Sequence, residues 1–199
     1  MPHSSVVGGP LPTHARQGRL QQRYGDGGER LIAGCIPVRF DGEGPDGVRV
    51  LLVTRRCGEG FVFPKGGWEL DEATAEEAAK RETVEEAGVR GCIEEPLIGV
   101  FPFVSQKRSD LADSKGKCLA HMYVLRVEEE LVEWPEQDLR KRSWHSLEEA
   151  CEICVHEWMR KALHIWMERK GWLEAEKSTS NGNSNLHPAP TENGTSNHV

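Results

Sequence analysis

The stretch RETVEEAG at residues 81–88 constrains this chain more than any other. Helical spacing puts Glu82, Glu85 and Glu86 at i, i+3 and i+4, so the three carboxylates share one face. Like charges placed this way cost a helix about a few tenths of a kcal/mol per pair. A fold that keeps them must therefore gather positive charge around them, from an arginine, a lysine or a metal ion. Arg81 adjoins the cluster and is suited to orient it or partly neutralise it. The pattern predicts a helix over residues 71–87, with Thr74 as N-cap and Gly88 as the residue that stops it. Three glutamates alone would read as a solvated acidic face. The fixed letters R-E-x-x-E-E-x-G, however, arise by chance with odds on the order of one in a million per starting position. Upstream, Gly66 and Gly67 let backbone approach a ligand closely.

Around this helix the pattern alternates. LIAGCIPVRF (31–40) and VRVLLVT (48–54) read as two strands joined by the turn-forming DGEGP. A brief strand is expected at 61–63, stopped by Pro64, and further strands at 97–104, 118–127 and 142–145. Residues 147–150 open a helical stretch, and 155–172 continue as an amphipathic helix with Trp158, Leu163, Trp166 and Met167 toward the core. Strands, helix, strands, helix predict an α/β chain: a mixed sheet between helices, in an α/β/α sandwich. Residues 1–27 and 174–199 are poor in large apolar side chains and read as flexible tails around a domain at 28–173.

A net charge of −7 with carboxylates crowded into residues 69–86 and 128–137 favours a cation site over a nucleic-acid surface. No apolar run is long enough to span a bilayer, so neither nucleic acid nor membrane is an expected partner. Six scattered cysteines without a secretory signal predict reduced thiols and a cytoplasmic or nuclear setting. The start of the chain has arginines and no acidic residue before Asp26, which keeps organellar import as an alternative, although Gly8, Gly9, Pro10 and Pro12 break any amphipathic helix there. Cys151 and Cys154 have CxxC spacing but lie in a predicted helix without a second pair, and are expected to be structural.

Residues 66–89 resemble the Nudix box, G-x5-E-x7-R-E-U-x-E-E-x-G-U, where U is a bulky aliphatic residue. Arg81, Glu82, Glu85, Glu86, Gly88 and Val89 match its second half, and Thr83 stands where an aliphatic residue is usual. Counting back from Arg81 to Gly67 puts Ala73 where the family has a glutamate. Counting from Gly66 puts Glu72 there, with one residue too many before Arg81. This predicts a one-residue insertion near the helix start, with Glu72 bracing Arg81 from the loop. The segments ARQGRLQQRY, AGCIP, FPKGGWE and WPEQDLRKRSW extend the likeness to a plant Nudix group related to diphosphoinositol polyphosphate phosphohydrolases.

The resemblance implies a metal-dependent hydrolase that cleaves a diphosphate linkage in a small polyphosphorylated molecule. Glu82 and Glu86 would hold Mg²⁺ or Mn²⁺, and Glu85 would act on the attacking water. Hard cations of this kind take carboxylate and water oxygens and bridge to phosphates. Candidate phosphate-binding groups are Arg56, Lys65, the backbone at Gly66 and Gly67, and the pair Arg140 and Arg142. Further cations stand at Arg55, Lys107, Arg108 and Lys141. A diphosphoinositol polyphosphate is the expected substrate, and a dinucleoside polyphosphate, ADP-ribose or NADH the alternative. A non-catalytic module that binds a phosphorylated ligand is the rival from another class.

Overall fold

A computed structural model describes residues 14–16, 18–56, 58–105 and 116–173. Seven strands form one sheet: β1 (Arg30–Phe40), β2 (Val48–Thr54), β3 (Phe61–Val62), β4 (Lys65–Gly67), β5 (Val89–Val104), β6 (Lys117–Glu130) and β7 (Arg142–His145). The order is β3-β2-β1-β6-β5, with β4 pairing to β1 and β7 to β2. β1 and β6 run parallel while the other pairs are antiparallel, which makes the sheet mixed.

β1 shows how two layers of helix find this sheet. Successive side chains of a strand point to opposite faces. Ala33 and Cys35 pack against Ala75, Ala78 and Ala79 of α1 (Ala75–Ala87). Ile32, Ile36 and Val38 face the other way, into the main core with Met159, Leu163 and Trp166 of α3 (Glu157–Arg169). The short α2 (Leu147–Ile153) lies on that same side through Leu147 and Ala150. The alanine-rich face of α1 lets its backbone come close to the sheet. The result is the expected α/β/α sandwich.

Three boundaries depart furthest from the expected ones. The helix begins at Ala75, four residues after the predicted start, because Thr74 Oγ1 accepts the Glu77 N–H at 3.2 Å and caps it there. The last sheet-edge strand begins at Val89 instead of residue 97. Its register with β6 shifts at Arg90/Gly91, Ile93/Glu95 and Glu95/Gly99, which destroys the two-residue periodicity that would have revealed it. The segment up to residue 27, expected as a tail, is anchored to the domain at Arg16 and Gln22, while Leu20 between them is exposed. Gln22 bridges to Glu69, and its buried amide donates to the carbonyls of Arg23 and Leu31, both at 2.8 Å. Isolated polar letters such as QQR carry no periodicity, so apart from the likeness of ARQGRLQQRY nothing in the sequence set this segment off from a tail.

Gln22→Ala should lower the unfolding free energy by about 1–3 kcal/mol, the usual consequence of stripping a satisfied buried amide. Chemical denaturation measures this. A change near zero would return residues 18–27 to the status of a loosely attached arm.

Candidate active site

The site is built where α1 passes the short β4. Three backbone features put the helix there: the Thr74 cap, the glycines at 66 and 67, and Gly88. Gly88 adopts the left-handed conformation at φ 62°, and its N–H donates to Val84 O at 3.0 Å, ending the helix directly behind the glutamates. Any Cβ at Gly66 would lie about 2.1 Å from the Glu82 carboxyl carbon, so the missing side chain is what admits that carboxylate to the sheet edge. β4 was not expected as a strand. Gly66 and Gly67 pair as strand residues to Ala33 and Ile32, Gly66 forming the floor beneath Glu82 while Gly67 faces Gln22.

Arg81 organises the cluster. Its Nε donates to Glu72 Oε1 at 2.6 Å and its Nη2 to Glu72 Oε2 at 3.1 Å, a two-point grip from the turn before the helix. The same guanidinium reaches Glu82 at 2.7 Å, Glu85 at 3.4 Å and the Gly67 carbonyl at 2.8 Å. The extra residue between Gly66 and Arg81 is taken up in this turn, which leaves Glu72 beside the arginine. Burial works against the Arg81 charge, but hydrogen bonds and attraction from Glu72 and Glu82 outweigh it and raise the pKa.

The three helix carboxylates fan out to different partners. Glu82 lies against Gly66. Glu86 accepts the Lys65 backbone N–H at 2.9 Å and pairs with Arg140. Glu85, almost wholly buried, accepts the Arg16 backbone N–H at 3.1 Å, while the Arg16 side chain grips Glu69 and Asp71. Burial pushes Glu82 up to about 8; Arg81 opposes the shift, and repulsion from Glu86 and Glu85 adds to it. Burial raises Glu85 and Glu86 as well. Crowded carboxylates that resist ionisation are a reservoir of affinity for a cation. Among the described residues no three His, Cys, Asp or Glu side chains converge on one point to enclose an ion. An ion here would rest on Glu82 and Glu86 and complete its shell with water and phosphate oxygens, as Mg²⁺ commonly does.

The expected substrate cations divide. Arg56 reaches outward with its side chain 40% exposed and is tethered to Glu136. Lys65 heads β4 beside Glu86. Arg140 and Arg142, expected to meet substrate, are instead turned inward. Arg140 donates to Glu86, to Glu136 at 2.7 Å and to the Thr54 carbonyl at 2.8 Å. Arg142 donates to the carbonyls of Ala87, Gly88 and Leu131, each at 2.9 Å, and lies over the Trp134 ring. The alternation of an extended segment explains this, since only Lys141 between them points out. Lys107 and Arg108 lie outside the described residues. Glu136, which the sequence did not single out, is buried between Arg56 and Arg140, and its N–H donates to the Glu85 carbonyl at 3.1 Å. Cys151 and Cys154 carry free thiols that burial pushes up, Cys154 to about 12, in keeping with a structural role. Trp68 packs on His121 and under Arg23.

Comparison with known proteins places this geometry in context. Residues 28–166 match the NUDIX domain. Nudix hydrolase 16, mitochondrial, of Arabidopsis thaliana is 50% identical over 156 residues, covering 75% of this chain and 85% of that protein. Nudix hydrolase 4 of the same plant is 43% identical over 169 residues, covering 82% and 78%. Among solved structures, a C. elegans Ap4A hydrolase in a binary complex aligns with a TM-score of 0.57 at 18% identity, over 71% of this chain and 97% of that one. A NUDIX hydrolase from Nitrosomonas europaea aligns with a TM-score of 0.53 at 18% identity, over 71% and 90%. At such identities these structures speak to the fold alone, and it is the same mixed sheet between helices.

Arg81→Met should destabilise the protein by about 3 kcal/mol, the low end for removing one partner of a buried ion pair, because Glu82 escapes part of the penalty by holding a proton. Arg81→Lys should recover only a minor part, since an ammonium cannot span Glu72, Glu82 and the Gly67 carbonyl together. Equal stability of the lysine variant and the parent protein, measured by denaturant unfolding, would show that the fork geometry is immaterial.

Proposed function

Because the chain belongs to the Nudix family, it is a hydrolase acting on a diphosphate-containing small molecule, and we propose that its substrate is a diphosphoinositol polyphosphate. The observation that carries this reading is the pair of carboxylates Glu86, buried, and Glu82, largely buried against Gly66, with the charges of Arg56 and Lys65 nearby. A densely phosphorylated ring needs cations around the cleavage point more than it needs a shaped apolar pocket. A binding module without turnover has no use for three crowded carboxylates held at a cost to stability, and that reading is set aside.

In this reading Glu82 and Glu86 would hold Mg²⁺ or Mn²⁺. The fit rests on their largely buried, mutually repelling carboxylates, which a divalent cation would relieve. The ion would neutralise phosphate charge and lower the pKa of water for attack. The chain's own residues do the rest. Glu85, one oxygen of which accepts the Arg16 N–H, takes a proton from the attacking water. Arg81 fixes the direction of Glu82 and Glu85 while Glu72 holds Arg81. The Lys65 N–H keeps one Glu86 oxygen in place, and Gly66, lacking a side chain, keeps Glu82 at the sheet edge.

One feature favours a second reading, a dinucleoside polyphosphate. The rings of His156 and Phe103 lie nearly parallel to Trp158, with centroids 6.3 and 5.2 Å away. The electrostatic influence of Lys65, Arg55 and Arg160 reaches His156. A flat aromatic wall beside cations suits a base attached to phosphates.

Phosphate release should be measured with diphosphoinositol polyphosphates, dinucleoside polyphosphates and ADP-ribose, each with Mg²⁺ and with Mn²⁺. The expected result is fastest turnover of the first class, abolished by chelator. Glu85→Gln should lose about 10²–10⁴ in rate, the usual weight of a general base, and Glu82→Gln should lose activity and demand more metal. Near-full turnover by both variants would overturn the residue assignment, and faster turnover of the dinucleotides would overturn the substrate.

A further inference from the structure

The segment before β1 reaches the carboxylate helix at Glu85. Arg16 presents its backbone N–H to Glu85 Oε2 at 3.1 Å, across 69 residues of chain. Arg81, the cation that orders the cluster, comes to the same carboxylate only at 3.4 Å. The shorter of these two contacts therefore comes from outside the helix and outside the motif that the helix carries.

The Arg16 side chain points elsewhere. Its Nη1 donates to Glu69 Oε2 at 2.6 Å and to both oxygens of Asp71 at 3.0 Å. These carboxylates stand on the turn between β4 and α1, the turn that takes up the extra residue before Arg81. The same turn holds the rest of the segment. The Arg23 N–H donates to Trp68 O at 2.8 Å, and the Leu70 N–H to Gln21 O at 2.7 Å. Glu72, further along, grips Arg81. One turn thus fixes both of these donors to Glu85, Arg81 through Glu72 and Arg16 through Glu69 and Asp71.

Core packing does not account for the contact. Leu20, between the anchors at Arg16 and Gln22, is 96% exposed, and the Arg16 side chain is 41% exposed. Polar contacts hold the segment here, and exposed ion pairs of this kind contribute little to stability. What they supply is position, and a displacement of about 1 Å at a reacting group can cost about 100-fold in rate. A backbone N–H aims a carboxylate without setting a full positive charge against it, and so leaves it able to take a proton. Arg16 meets both needs by turning its charge to Glu69 and Asp71 and its N–H to Glu85.

We infer that Arg16 is a positioning residue for Glu85: anchored by its side chain on the lengthened turn, it holds one oxygen of the carboxylate through its backbone N–H. The segment before β1 is then part of the catalytic apparatus. The inference rests on the reading of Glu85 as the group that takes a proton from the attacking water.

The test measures kcat and KM in the full chain, on the diphosphate substrate that wild type turns over fastest. Arg16→Pro removes the N–H. Its kcat should fall about 10- to 100-fold, the weight of a hydrogen bond to a charged group, with KM nearly unchanged. Arg16→Ala keeps the N–H without its anchor and should lose less. Arg16→Lys can still pair with Glu69 and Asp71 and should recover most of the rate. Added to Glu85→Gln, Arg16→Pro should bring almost no further loss, because it acts through that carboxylate. Thermal midpoints should stay close to that of wild type. An unchanged kcat in Arg16→Pro, a loss that appears in KM, a loss that multiplies with that of Glu85→Gln, or a large fall in the midpoint would overturn the inference. Full turnover by Glu85→Gln, or no turnover of any diphosphate by wild type, would instead sink the reading beneath it, and the inference with it.

Discussion

The grip of Arg81 on Glu72, Glu82, Glu85 and the Gly67 carbonyl is the interaction on which the rest of the site depends. A helix with three glutamates on one face and a sheet edge with two glycines would not approach each other unaided. One carries crowded negative charge and the other offers little apolar surface. The guanidinium joins them, using its planar fork to hold a carboxylate from the turn, two from its own helix and a carbonyl from β4. Glu82 can therefore sit buried against Gly66, where its charge is held back and a cation would be welcomed. Stability and readiness for chemistry pull against each other here, and Arg81 is the compromise.

Positive charge around this centre is sorted by depth. Arg140 and Arg142 belong to the scaffold: one ties Glu86 to Glu136, and the other closes the end of α1 over Trp134. Glu136 links Arg140 to Arg56 and connects the 136–142 segment to the helix through the Glu85 carbonyl. Arg56, its side chain 40% exposed and tethered to Glu136, is the more outward of these cations.

Much of this was legible in the sequence, for identifiable reasons. The β2 and β7 boundaries, the Thr74 cap and the Gly88 stop are local events, set by β-branched runs and by single residues with strong conformational preferences. Glu72 was within reach because its offset from Gly66 and Arg81 left few alternatives. Other features depend on contacts distant in sequence. Glu136 lies in an ordinary polar segment, and only folding brings two arginines 80 and four residues away onto it. Gln22, whose buried amide docks the segment before β1, lies in a stretch without periodicity. The inward turn of Arg140 and Arg142 was hidden because composition shows basic residues but not which face they occupy. The start of β5 was hidden by its own irregular register.

The central claim is that Glu82, crowded by Glu86, keeps a proton that a divalent cation would displace. Titration of Mn²⁺ into metal-free protein at pH 7, in lightly buffered solution, tests it most directly. Because burial holds the Glu82 pKa at about 8, the cation must displace a proton as it binds. The account predicts binding with proton release that diminishes as the pH is raised above 8, and loss of that release in Glu82→Gln. Binding without proton release, or release undiminished by that substitution, would contradict it.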